Sequence, residues 1–261
     1  MPTLDGKIAI VTAGGGPGMG RALSMALAKE GATVVIADLD PQRGAETVKA
    51  IEQAGGKAIA IQTDVSKKTD VQHMVAETVK RFGKVSILLN HAGLNPSAKF
   101  VEEISEEAWD RALAVHLKGA FLCSQAVIPH MKKENWGRIV CTVSRVAYKP
   151  TNLGLADYAA AKAGIVGFSR AIAMEVGRYG ITVNCIAPGL VHGGGMGLVS
   201  GINETTEWRE KAIAREGQLV RPFREVTPEE IAGAMLYLVG PYSDRVTGIV
   251  MHVNGGSYLP S

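Results

Sequence analysis

Short apolar, β-branched runs alternate along the chain with longer segments in which apolar residues recur at helical spacing. The runs Lys7–Val11, Ala32–Ala37, Ala58–Gln62, Val85–Leu89, Arg138–Val143, Ile181–Ile186 and Gly248–Val253 predict strands. The periodic segments Gly18–Glu30, Pro41–Ala54, Asp70–Phe82, Trp109–Met131, Tyr158–Arg178 and Pro228–Val239 predict helices. Because the strand runs are continuously apolar rather than alternating, both faces of the sheet must be covered, which calls for parallel strands between two helical layers. The predicted architecture is a doubly wound α/β fold of about seven strands. No linker, composition shift or internal repeat divides the sequence, so residues 1–261 read as a single domain. One segment, about 193–224, breaks the rhythm. It opens on Gly193-Gly194-Gly195, Gly197 and Gly201 and carries a charged helical pattern from Thr206 to Glu216. Its length reads as a substrate lid, with a plain surface excursion as the alternative.

Composition narrows the picture only in places. With 46% apolar and 20% charged residues, the chain can bury a sizeable core, which excludes a disordered or disulfide-stapled protein. The net charge of +3 comes from dispersed basic residues and gives no footprint for nucleic acid. The amino terminus carries no charged-then-apolar leader, and no run of about 18 apolar residues occurs. The expectation is a soluble cytoplasmic protein with no membrane partner. Cys123, Cys141 and Cys185 are odd in number, far apart and set in apolar stretches, which predicts buried thiols. Glycine alone is in clear surplus, at 31 residues, and without a triplet period or low-complexity run it must serve particular backbone positions.

The densest group follows the first strand: Ala13-Gly14-Gly15-Gly16-Pro17-Gly18-Met19-Gly20. A glycine turn between strand and helix lets the backbone approach a pyrophosphate at the helix N-terminus. A phosphate-binding P-loop fits badly, since Arg21-Ala22 stands where Lys-Ser/Thr is required. Asp38, at the end of the second strand, is placed to accept hydrogen bonds from an adenosine ribose diol and would repel a 2′-phosphate. Pro17 and Leu39, flanking that position, supply no cation. The combination favours NAD (NADH) over NADP.

Tyr158 and Lys162 share one face of a small-residue helix. An ammonium about 4 Å from a phenol, at an effective dielectric near 20, contributes roughly 4 kcal/mol toward the phenolate. Tyr158 is therefore expected to exchange protons near neutral pH.

The Gly14-x-x-x-Gly18-x-Gly20 turn, Asn90-His91-Ala92-Gly93, Ser144, Tyr158-x-x-x-Lys162 and Pro188-Gly189 occur in the order and approximate spacing of the short-chain dehydrogenase/reductase family. The chain resembles that family over nearly its whole length. The resemblance implies a Rossmann-like homotetramer that transfers hydride between a nicotinamide and a small-molecule alcohol or ketone. It implies Tyr158 as general acid/base, Ser144 as the hydroxyl that polarises the substrate oxygen, and Lys162 as the residue that holds the nicotinamide ribose. The cofactor set it implies is Gly14, Gly18, Met19, Gly20, Asp38 and Leu39, the pair Asp64-Val65, the segment Asn90, Ala92 and Gly93, Tyr158 and Lys162, and Pro188-Gly189 with Val191.

The chain departs from the family pattern in several places. His116 stands where the family has a relay Asn, and it has two readings: a member of the catalytic set through a proton relay, or a core histidine beside Leu113, Leu117 and Ala120. His91 replaces an Asn, Gly193 a Thr, Ala13 a Thr and Asn254 an Asp. His91, His116 and His192 show no metal-ligand spacing, and no metal is expected. Two other functions compete with the alcohol/ketone oxidoreductase. One is a 3-oxoacyl-thioester (acyl carrier protein) reductase, for which Lys132-Lys133 and Arg178 could meet an acidic carrier. The other is a non-catalytic dinucleotide sensor, which would need none of Ser144, Tyr158 and Lys162.

Overall fold

Residues 3–149, 153–191 and 226–258 are described by a computed structural model. Its centre is one sheet built from β1 (Ile8–Thr12), β2 (Thr33–Asp38), β3 (Lys57–Gln62), β4 (Ile87–Asn90), β5 (Gly137–Thr142), β6 (Ile181–Pro188) and β7 (Val250–Val253). The strands are ordered β3-β2-β1-β4-β5-β6-β7, and every pairing is parallel. Ile10 of β1 stands between Val35 of β2 and Leu88 of β4.

Side chains of successive strand residues point to opposite faces, and here both faces are apolar. Val34 and Ile36 pack with Leu23 and Leu27 of α1 (Met19–Lys29), Ile51 of α2 (Pro41–Gln53) and Met235 of the helix Pro228–Val239. Val35 and Ala37 join the opposite cluster, with Met74 of α3 (Lys68–Phe82), Val127 and Met131 of the helix Gly119–Glu134, and Ile165 of the helix Ala156–Val176. This is the predicted three-layer, Rossmann-like arrangement. The sheet grows one way through β3 and the other way from β4, so a crevice opens past the carboxyl ends of β1 and β4.

The predicted helix Trp109–Met131 is broken. It consists of α4 (Glu106–Leu113), a π-helical turn (Ala114–Lys118) and α5 (Gly119–Glu134). A π turn inserts one residue into a helix whose apolar spacing resumes on either side, so periodicity alone does not show it. The run is long and apolar enough by composition to cross a membrane, yet Leu122, Cys123, Val127 and Met131 are buried in the sheet core. The helix that carries Tyr158 and Lys162 is α6 (Ala156–Val176), and the last α-helix is α7 (Pro228–Val239), opened by a Thr227/Glu230 capping box. All three cysteines are buried free thiols. The proposed lid, 193–224, lies outside the described residues. Among the described residues, Val191 and Val226 form a parallel bridge, with the Val226 N–H donating to the Leu190 carbonyl at 2.8 Å.

Candidate active site

At the carboxyl end of β1 the chain turns sharply into α1. Gly18, the N-cap of α1, has φ 101°, in the region that favours glycine. A Cβ on Gly20 would lie 2.1 Å from the Ala13 carbonyl oxygen, so only glycine lets α1 start this close to β1. No side chain caps α1 and its first turn holds no acidic residue, which leaves its first N–H groups for an anion. Asp38 ends β2 with its carboxylate fixed by two backbone amides: Oδ2 accepts from Gly15 N–H and Oδ1 from Asp40 N–H, both at 3.0 Å. Beside it Leu39 is 60% exposed and offers an apolar surface. An open helix terminus, a fixed carboxylate and an apolar ledge suit the pyrophosphate, ribose and adenine of a dinucleotide. Met19 packs into the α1 and α7 core rather than standing free. Sequence reasoning missed one cation here. Arg43, in the first turn of α2, brings its Cδ within 3.1 Å of the point a Gly16 Cβ would occupy, and its Nε lies 3.3 Å from Asp40.

Past β3, the Asp64 carboxylate accepts from the Ser66 N–H at 3.0 Å and its hydroxyl at 2.6 Å, while Val65 is buried against Gly119. At the end of β4 the expectation needs correction. Asn90 does not present its amide to the cleft: Nδ2 donates to Ser124 Oγ at 3.1 Å and approaches Cys141 Sγ and the Ala120 carbonyl at 3.5 Å, holding α5 against the sheet. The segment after it is held by Thr12, whose hydroxyl accepts from His91 N–H at 2.9 Å and Ala92 N–H at 3.0 Å and donates to the Leu89 carbonyl. Thr12 was not foreseen, because a threonine at the end of a strand carries no sequence signal of its own.

The catalytic candidates converge past β5. Ser144 caps a 3₁₀ turn (Arg145–Ala147), where its Oγ accepts from Val146 N–H at 3.2 Å. Tyr158 and Lys162 both point inward from the first turns of α6, 8% and 3% exposed. Asp157, also missed, locks that helix start: its carboxylate accepts from Tyr158 N–H at 2.8 Å and from Ser97 N–H at 3.0 Å. The buried ring of His116 meets Tyr158 edge to face, with centroids 5.3 Å apart and an interplanar angle of 83°. His91 Nδ1 lies 3.1 Å from Thr142 Oγ1.

Electrostatics depart from the expected pairing. The Lys162 ammonium donates to the Thr142 carbonyl at 2.7 Å and sits 5.6 Å from the Tyr158 ring centre, so it does not draw the phenol toward neutrality. Burial dominates instead and pushes Tyr158 up to about 12, against the lowering influence of the Ser144 hydroxyl. Burial likewise lowers Lys162 to about 8. His91 is pushed down to about 4 and His116 to about 3, first by burial and then by the Lys162 charge. Among the described residues no three His, Cys, Asp or Glu side chains are grouped to hold a metal ion; His192 and Gly193 lie outside them.

Pro188 closes β6, and Gly189 N–H donates to the Val253 carbonyl at 3.0 Å, which seats the Pro188–Val191 segment beside β7. Asn254, in the place of an Asp, accepts from Gly256 N–H and donates to the Tyr258 carbonyl, both at 2.9 Å.

Comparison with known proteins places this geometry. Residues 14–258 match a family model described as enoyl-(acyl carrier protein) reductase. The chain is 38% identical over 98% of its length, and 98% of the relative, to the (2S)-[(R)-hydroxy(phenyl)methyl]succinyl-CoA dehydrogenase subunit BbsD of Thauera aromatica. It is 34% identical to the 3-oxoacyl-[acyl-carrier-protein] reductase FabG of Thermotoga maritima, over 97% of this chain and 98% of that one. A solved structure from Burkholderia xenovorans, described as a short-chain dehydrogenase/reductase, superposes with a TM-score of 0.87 at 32% identity and covers 98% of both chains.

Proposed function

The chain belongs to the short-chain dehydrogenase/reductase family, and from that premise we propose that it is an NAD(H)-dependent oxidoreductase interconverting a secondary alcohol and a ketone. The observation that carries this reading is the convergence of Ser144, Tyr158 and Lys162 at the carboxyl end of β5, within one crevice of the glycine turn and Asp38. Asp38 would hold the adenosine ribose, the α1 terminus the pyrophosphate and Lys162 the nicotinamide ribose; the bound nicotinamide supplies the hydride. Ser144 Oγ, already an acceptor for Val146 N–H, keeps its own proton to donate to a substrate oxygen. Tyr158, kept protonated by burial, is set to deliver a proton to the oxygen of a ketone during reduction. In the direction of alcohol oxidation the same oxygen, as phenolate, would accept the alcohol proton, so that direction first requires Tyr158 to lose the proton that burial holds on it.

The test is a screen of alcohols and ketones that follows NADH absorbance, with NADPH in parallel. Turnover with NADH and a weaker response to NADPH is the expected result. Dinucleotide binding without turnover of any substrate would instead indicate a sensor.

A second reading has specific support. A 3-oxoacyl-thioester reductase is favoured by the acyl-thioester names of the relatives, and Arg43 beside Gly16 offers a cation for the 2′-phosphate of NADPH. NADPH preference together with acyl-thioester turnover would promote this reading over the first.

The wider proposal is a single-domain, cytoplasmic protein, free of membrane and nucleic acid, that self-associates as a homotetramer. An apolar groove formed by Leu113, Ala114, Leu117, Phe121 and Phe168 on the α4–α5–α6 face supports self-association, with Phe121 41% exposed. Sedimentation of the purified chain tests it.

A further inference from the structure

A π turn interrupts the long helical run between α4 and α5, and its residues reach two parts of the site. A Cβ built on Gly93 would lie 2.6 Å from His116 Cε1 and 2.9 Å from Nδ1, and a Cβ on Gly164 of α6 would lie 2.8 Å from Leu117 Cδ2. The turn thus plugs into the cleft segment after β4 on one side and into the helix of Tyr158 on the other. His116 itself is 2% exposed. Its Nε2 is 3.1 Å from both the amide nitrogen and the carbonyl oxygen of Leu94, and its ring edge meets Tyr158. A neutral imidazole uses Nε2 once, as acceptor or as donor, and among the described residues Nδ1 is buried without a partner. The charged groups facing it reduce to Lys162, which opposes protonation, while the Leu94 contact favours it.

We propose that the π turn is a positioning element, and that its His116 imidazole, wedged between Gly93–Leu94 and the Tyr158 ring, sets the distance between the cofactor-cleft segment and the tyrosine. This rests on the oxidoreductase reading for its consequence, though not for its geometry. His116 is then a positioning residue: it fixes Leu94 and Tyr158 by volume and by one hydrogen bond, and carries no proton between solvent and substrate. The lone glycine at 93 follows from it, because the ring fills the space a side chain would need. π turns cluster at functional sites because the extra residue re-aims the side chains around it.

A double-mutant cycle tests the wedge. Gly93→Ala in the wild type is expected to lower the thermal midpoint by about 4 °C or more and to weaken NADH binding by roughly tenfold. In a His116→Ala background the same methyl enters vacated space and shifts neither. In turnover assays His116→Ala is expected to lower kcat by roughly 10- to 100-fold while the inflections of the pH–rate profile stay in place. His116→Gln, whose amide can still reach Leu94, recovers most of the loss. An equal cost of Gly93→Ala in both backgrounds would overturn the wedge, and loss of an ionisation from the His116→Gln profile would make His116 a proton carrier. The unfolding cycle needs no substrate, so a wild type that turns nothing over defeats the oxidoreductase reading and leaves the cycle to decide this one.

Discussion

Strand β5 has a buried cation at each end, and the two are treated differently. At its start Arg138, 2% exposed, is paired with Asp244, donates to the Gly137 carbonyl at 2.8 Å and the Gly180 carbonyl at 3.2 Å, and lies 4.4 Å over the Trp136 ring. Lys7 approaches the same indole, 3.6 Å from its centre. At the other end Lys162, 3% exposed, has the Thr142 carbonyl, and among the described residues no carboxylate forms an ion pair with it. A buried charge that serves the fold is neutralised and stacked. One held beside a single carbonyl is costly to the fold, which is the expected mark of a group kept for chemistry.

Three changes probe that contrast. Lys162→Met should lower turnover by roughly 10²- to 10³-fold, while the thermal midpoint stays level or rises, because an uncompensated buried ammonium is removed. Steady-state kinetics beside a thermal melt measures both, and a melt that falls with activity would make Lys162 structural.

Next in size is a pH effect. The native pKa of Lys162 is about 8, below its ordinary 10.5, so between those values the unfolded chain binds more protons and native stability must rise with pH. The difference in stability between wild type and Lys162→Met should therefore move in favour of the wild type from pH 8 to 10, by at most a few kcal/mol. Parallel melts check the sign, and a flat difference would mean that Lys162 is not desolvated as described.

The smallest effect belongs to the structural cation. Asp244→Ala leaves Arg138 uncompensated and should cost about 2 kcal/mol, less than a fully buried pair because Asp244 is 65% exposed. NADH affinity and kcat should be unchanged at a temperature where the variant is folded. A fall in kcat there would erase the distinction between the two ends of β5.

The same contrast explains what the sequence could reveal. Strand runs and helix periods were legible because burial on both faces of a parallel sheet leaves an unbroken apolar signal, and the observed bounds differ from the predicted ones by one to three residues at most ends. Ser144, Tyr158, Lys162 and Asp38 were legible because their chemistry and spacing are unusual together, and the structure does bring them to one edge of the sheet. Asn90 shows the limit: its position at the end of a strand was legible, but which way an amide turns depends on Ser124 and Cys141, which arrive from other elements. Thr12, Asp157 and Arg43 were invisible for a related reason. A strand-end threonine, a helix-start aspartate and an exposed arginine are ordinary locally, and only the tertiary fold gives them partners. Tyr158 reads differently in space because spacing along a helix promises proximity to Lys162, whereas burial, which raises the phenol, depends on everything packed around it.

The central claim is that Tyr158 exchanges the proton that accompanies hydride transfer. Its most direct test compares wild type with Tyr158→Phe, each saturated with NADH and supplied with a ketone or 3-oxoacyl thioester that the wild type reduces. The account predicts NADH affinity within about twofold of wild type and turnover lower by roughly 10²- to 10⁴-fold; equal turnover in the two proteins would contradict it.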